Sequence, residues 1–347
     1  MIKIIRTNKG SVLLAVIWIL SMLAVFSVIV NRQASQELIL GPWLRNEVIA
    51  RSLAKAGVNR AILELQQDKF MTFDAFNESW SMNEKAFSEV PLGDGVFTVS
   101  CPMNDYEGGS KKSAIRYGLC DEESRLNINF ASEIYLKNLL MAVVTKMEDT
   151  KATEISQAIV DWRDLDGNAL QNGAESSYYR GLPSPYETRN APFQTIEELR
   201  MVKGVTANIY RQIEPYVTVY GKGRVNVNTA PRPVLQALGL SFELAQKIVL
   251  MRRGGDGKEG TDDDEIFQDP SGVAASMSVA TSFTSEDFAS IANPVSGKMV
   301  DVRSDTFRIR SIGRFNRDGQ IVAETMVSCV VHRNGSILYW KEGEFAQ

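Results

Sequence analysis

From Ser11 to Val30 the chain reads SVLLAVIWILSMLAVFSVIV, twenty residues without a charge. As an α-helix this run is about 30 Å long, the thickness of a bilayer's hydrocarbon core, and it predicts a membrane span. The preceding segment, MIKIIRTNKG, carries Lys3, Arg6 and Lys9 and no acid. That bias places residues 1–10 in the cytoplasm and the remainder on the far side of the membrane. A cleaved secretory signal has an apolar core of about 7–15 residues and a small-residue cleavage site. Here Asn31, Arg32 and Gln33 follow instead. An ordinary signal anchor on an exported domain is the alternative.

Beyond Val30 the helical pattern persists through residues 31–68, with Leu53, Ala56, Gly57, Arg60, Ala61 and Leu65 at helical spacings. One rod is expected, with a kink at Gly41-Pro42, because proline removes a backbone donor and crowds the preceding turn. Two stretches, 93–120 and 305–332, alternate polar and apolar residues around turn signals and read as hairpins. The fold class predicted is α+β, with residues 121–300 lying between the two hairpin blocks.

The insertion repeats itself. RLNINFASEIYLKNLL from Arg125 aligns with RVNVNTAPRPVLQAL from Arg224, matching Asn127 with Asn226, Asn129 with Asn228, Ala131 with Ala230 and Leu136 with Leu235. EISQAIVDWR (Glu154–Arg163) aligns with ELAQKIVLMR (Glu243–Arg252). Two related helical units are expected, about 121–220 and 221–300. Between the aligned blocks, Thr195-x-x-Glu198 is a capping box, followed by a helix to Lys203, a turn at Gly204 and a second helix. This is a helix-hairpin-helix (SAM-like) pattern, with Gly239-Leu240-Ser241 as its counterpart.

Helix-hairpin-helix units can hold phosphate on backbone N–H groups, so a membrane-anchored DNA-binding or uptake protein is a second reading. Against it, residues 121–300 hold 18 Lys and Arg to 25 Asp and Glu, and the hairpins are Gly204-Val205-Thr206 and Gly239-Leu240-Ser241 rather than G-x-G. Nucleic acid is not the expected partner. An enzyme is not expected either: the single histidine, His332, lies in a predicted strand, and a capped helix end with a buried tryptophan accounts for Asp161, Trp162 and Arg163.

Two acidic loops follow the repeated helices. In DLDGNALQNGAE, Asp164, Asp166, Asn168 and Glu175 take the first, third, fifth and twelfth places of a calcium-type loop, although its glycines do not fall at the sixth. In the second loop Asp256, Glu259, Asp262, Asp263, Asp264 and Glu265 crowd into ten residues, and their repulsion favours a hard cation with oxygen ligands. Calcium is the cofactor expected, with plain solvated loops as the alternative. Among the three cysteines, Cys101 and Cys120 flank the turn-rich stretch Asn104–Lys112 and are the candidate disulfide; three buried free thiols are the other reading.

A basic leader ending in Lys9-Gly10, followed by an apolar helix that continues amphipathically, resembles the class III signal of type IV pilins and type II secretion pseudopilins. The family resemblance is strongest to the K-type minor pseudopilins, which lack the glutamate common at the fifth mature position; this chain has Ala15 there. The NVNTA and DWRDLDG blocks agree with that family's helical insertion. The resemblance implies a pilin-like fold, in which the long N-terminal helix packs on one antiparallel sheet of an α/β head, residues 69–120 and 301–347, with the large all-α insertion 121–300 between them. It also implies cleavage after Gly10 by a prepilin peptidase and methylation at Ser11. It further implies an inner-membrane protein with its large domain in the periplasm, other minor pseudopilins as partners in a tip complex, and calcium in the insertion. The implied role is structural: promoting pseudopilus assembly and the export of folded proteins.

Overall fold

The computed structural model describes residues 9–67, 72–105, 112–273 and 284–343. Helix α1 (Lys9–Gln66) is a single element of 58 residues, about 87 Å at the usual rise. Its apolar stretch, Val12–Arg32, is long enough to cross a membrane and none of it is covered by the rest of the chain. From Ala50 onward the helix changes role. Ala50, Leu53, Ala54, Val58, Ala61 and Leu65 recur three or four residues apart and are all buried against the head. The rod is one helix, and α1 runs through Gly41-Pro42. Proline deletes one ladder hydrogen bond, and the helix is continuous across that loss.

After the short helix α2 (Glu84–Phe87) come strands β1 (Val90–Leu92), β2 (Gly95–Val99), β3 (Cys101–Asp105), β4 (Lys112–Arg116) and β5 (Cys120–Asp121). The insertion contributes β6 (Leu126–Asn127), β7 (Val217–Thr218), β8 (Val225–Asn226) and β9 (Val300–Asp301). The chain closes with β10 (Thr306–Arg317), β11 (Gln320–His332) and β12 (Ile337–Gly343). The main sheet has the order β1-β2-β10-β11-β12, with β5 also on β10, so both hairpin blocks do share one antiparallel sheet. The β10–β11 turn places Asp318 and Gly319 at φ 53° and 78°, the left-handed pair that a tight hairpin requires. The first block divides: β2 joins the sheet while β3 and β4 form a separate two-stranded hairpin. The bend between them, 106–111, lies outside the described residues.

Helix and sheet meet at small residues. Phe307, Ile309 and Phe315 alternate inward along β10 and Val327, Cys329 and Val331 along β11, leaving Gly313 directly beneath the helix. A Cβ on Gly313 would stand 2.1 Å from the Ala50 carbonyl oxygen and 2.4 Å from the Ala54 nitrogen. Both are backbone atoms, so no rotamer change relieves the contact. Gly313→Ala is therefore expected to destabilise the head by about 1–3 kcal/mol, read as a lower denaturation midpoint at unchanged slope.

In the insertion, α3 (Glu133–Val143), α4 (Asp149–Arg163) and α5 (Ser176–Arg180) precede α6 (Ala207–Ile213), α7 (Arg232–Ala237) and α8 (Phe242–Arg252). The expected helix to Lys203 is instead a 3-10 turn over Ile196–Met201, with the Glu198 carboxylate returned to the Thr195 N–H at 3.1 Å. Gly204 follows at φ 82°. The repeat seen in the sequence returns as a shared set of hydrogen bonds. Asn127 Oδ1 accepts from the Asn129 amide, and Asn129 closes a two-way bridge to the backbone of Phe193. Asn226, Asn228 and Phe267 do the same. Arg163 donates to the Ile128 carbonyl and Arg252 to that of Val227. Each unit opens and closes on a two-residue parallel pair, β6 with β7 and β8 with β9. Residues from both units, Leu126 to Val302, share one apolar core.

Candidate metal centre and the junction between head and insertion

Helix α4 ends by clasping its own loop. The Asp161 carboxylate, fully buried, accepts hydrogen bonds from the backbone amides of Leu170 and Ala174, the latter at 2.7 Å. Trp162, also buried, lies among Tyr179, Tyr186 and Phe193. This fixes the path of residues 164–175. On that path the oxygens of Asp164, Asp166 and Glu175 come within 4.8 Å of one another. Glu175 is 3% exposed, and one of its oxygens, Oε1, has no hydrogen-bond donor; the same is true of Asp164 Oδ1. Burial, then the charges of neighbouring acids, raise both carboxyl groups above their usual range. Close, partly orphaned carboxylate oxygens in a ring are a donor set suited to a hard cation. Asn168 sits beside them with its amide on Asp166 Oδ1.

The second loop is arranged differently. Asp263 Oδ2 accepts from the amides of Gly255 and Asp256, Asp264 Oδ2 from that of Gly260, and Asp256 Oδ1 from that of Lys258. Glu259 faces Arg252 and Arg253 at 3.7 Å each, so its charge is matched by guanidinium groups. Asp262 and Glu265 are exposed. Among the described residues, no three of these six bring their carboxylates together as the first loop does.

Cys101 and Cys120 are joined in a disulfide, and Cys329 is a buried free thiol that burial pushes up to about 12. Gly10 and the Ser11 backbone lie within α1, and residues 1–8 of the leader lie outside the described residues. Ala15 is exposed on the uncovered part of the helix.

One polar cluster escaped the sequence reading. Asn226, wholly buried, donates to the Asp74 carbonyl at 3.0 Å, to Asp121 Oδ2 at 3.2 Å and to Ser304 Oγ at 2.9 Å. Ser304 in turn donates to both Asp121 and Asp74 at 2.7 Å, and Arg333 pairs with Asp74. Head and insertion are thus sewn together by five buried polar residues set far apart in the chain. Asn226 was visible in the repeat; the rest of the cluster, which spans 259 positions from Asp74 to Arg333, carries no common motif.

The architecture is that of an α+β protein whose one N-terminal helix is both a candidate membrane span and the packing partner of an antiparallel sheet. The family model described as "Type II secretion system (T2SS), protein K" matches residues 122–222. Type II secretion system protein K of Pectobacterium carotovorum is 28% identical over 251 residues, 67% of this chain and 71% of the relative. That of Aeromonas hydrophila is 40% identical over 87 residues, 24% of this chain and 26% of the relative. Among solved structures, the GspK-GspI-GspJ complex from the enterotoxigenic Escherichia coli type 2 secretion system contains a similar fold. The TM-score is 0.59 at 20% identity, over 91% of this chain and all of that one. Over residues 122–222 and over two thirds of its length the chain is thus similar to type II secretion system protein K.

Proposed function

We propose that the chain is a structural, non-enzymatic minor pseudopilin, anchored in the inner membrane with its head in the periplasm and seated at the pseudopilus tip. The observation that carries this reading is α1 itself: its stretch Val12–Arg32 is uncovered and apolar, while from Ala50 onward it is the spine of a folded head. Such a helix can be passed from bilayer to filament without refolding the head. Two features favour the tip. Ala15 leaves no carboxylate in the filament core that must pair with the terminal amine of a subunit ahead. The insertion of about 180 residues is bulk that a neighbour stacked above would have to avoid. Partners of the I and J types are supported by the company that the similar solved chain keeps. The helix-hairpin-helix elements then serve as packing units within the insertion, and the Asp164, Asp166 and Glu175 group holds calcium.

Two measurements on one strain test this. The mature protein should begin at Ser11, with Gly10→Leu accumulating precursor. Immunogold labelling of overproduced pseudopili with antibody to the insertion should mark filament ends. Label spread along the shafts, or a mature start elsewhere, would overturn the reading.

A further inference from the structure

Between the head and the helical insertion lies a cleft of about 120 Å³, to which the second acidic loop contributes only Glu259. Arg116 reaches it from β4, Arg125 from the turn after β5, Arg232 from α7, and Arg252 and Arg253 from the end of α8. Two acids line it as well. Asp121 is already engaged by Thr229, Ser304 and Asn226, which leaves Glu259 as the carboxylate turned toward the arginines. Five guanidinium groups and two carboxylates line the cleft; Arg125 is also paired with Glu122 at 3.3 Å, and the other four still leave a local excess of positive charge in a protein of formal charge -4.

The donors are incompletely used. Arg252 is 4% exposed; it gives one N–H to the Val227 carbonyl at 2.7 Å, yet its Nε has no acceptor and Glu259 stands off at 3.7 Å. Arg232 spends one N–H on Gln246 at 2.9 Å, lies over the Phe242 ring, and likewise has a buried Nε with no acceptor. Unsatisfied N–H groups on buried cations are costly, and guanidinium edges match the paired oxygens of carboxylate and phosphate.

We infer that this cleft binds a compact oxyanion, a phosphate or carboxylate group, held by Arg232 and Arg252 and bridging the head to the second helical unit. The site is independent of the cation group at Asp164 and of placement in a filament. Its ligand could be a free phosphate or the carboxylate of an acidic peptide, and the test separates the two.

The full-length protein in detergent is titrated calorimetrically with sodium phosphate and, separately, with sodium citrate, at ionic strength held constant with chloride. Saturable one-to-one binding is expected for at least one of them. Phosphate alone identifies a phosphate group, citrate alone a carboxylate, and both a general oxyanion site. Arg232→Gln should weaken binding about tenfold or more, as loss of a charge-assisted pair requires. Because Arg252→Gln also removes a backbone contact and can unfold α8, Arg252→Lys, which keeps the charge but not the paired N–H edge, is the second variant, with folding checked by circular dichroism. No saturation with either anion, or affinity unchanged in both Arg232→Gln and Arg252→Lys, overturns the inference.

Discussion

Arg333→Met is expected to cost about 3–5 kcal/mol at pH 8, because it strands the fully buried Asp74 carboxylate without its partner. The ion pair joins β11's end to the segment entering the head, and Asp74 also receives the Ser304 amide. Burial is the strongest influence on Asp74 and pushes it up to about 7 even against the Arg333 charge. A carboxyl group raised in the folded state contributes full stability below its unfolded value, about 3.9. That contribution is lost as pH rises through the folded value. Removing the guanidinium lifts the folded value further, so the deficit of the variant should grow from pH 5 to pH 8. Denaturation curves at four pH values measure it. Adding Asp74→Asn to Arg333→Met should restore most of the loss, since both charges then leave together. A deficit below about 1 kcal/mol at pH 8 would mean that Asp74 does not depend on Arg333.

The second large effect concerns the ion. At 100 times its dissociation constant a calcium ion bound only to the folded protein adds about 2.7 kcal/mol. Chelator should therefore lower the melting temperature of the detergent-solubilised protein, and Asp164→Asn with Asp166→Asn should abolish that response. Without an ion, burial and mutual repulsion raise Asp164 and Glu175. The calcium response should accordingly fade as pH falls into the carboxyl range, where the ligands are protonated. Asp263→Ala with Asp264→Ala is the contrast. Those carboxylates bond the amides of their own loop, so their loss should destabilise equally with calcium or with chelator. A melting temperature indifferent to calcium and chelator returns residues 164–175 to a solvated loop.

Local signals carried far in this chain. The Thr195 and Glu198 capping box, the Asp318-Gly319 turn and the alternation along β10 and β11 depend on neighbours in sequence, and each is present as read. The acids of 164–175 meet because they are spaced along one short path. In the second loop, density of charge in sequence does not say which carboxylates turn to amides and which to arginines. Glu259 is the clearest case, since Arg252 lies on the helix before the loop and the pair meets only through folding.

What the sequence by itself determined is whatever repeats over a few residues: a span of helix, a two-residue alternation, a turn, and two copies of one helical unit. Hydrophobic period and turn chemistry are enforced by covalent neighbours, so they survive reading one residue at a time. Only the tertiary structure decided that Gly313 lies under Ala50, that Asp74, Asp121, Asn226, Ser304 and Arg333 share one buried junction, and that five arginines converge on one cleft. Those contacts join residues up to 263 positions apart, as Ala50 and Gly313 show. Their energies come from burial, which no stretch of sequence experiences until the rest of the chain has closed around it.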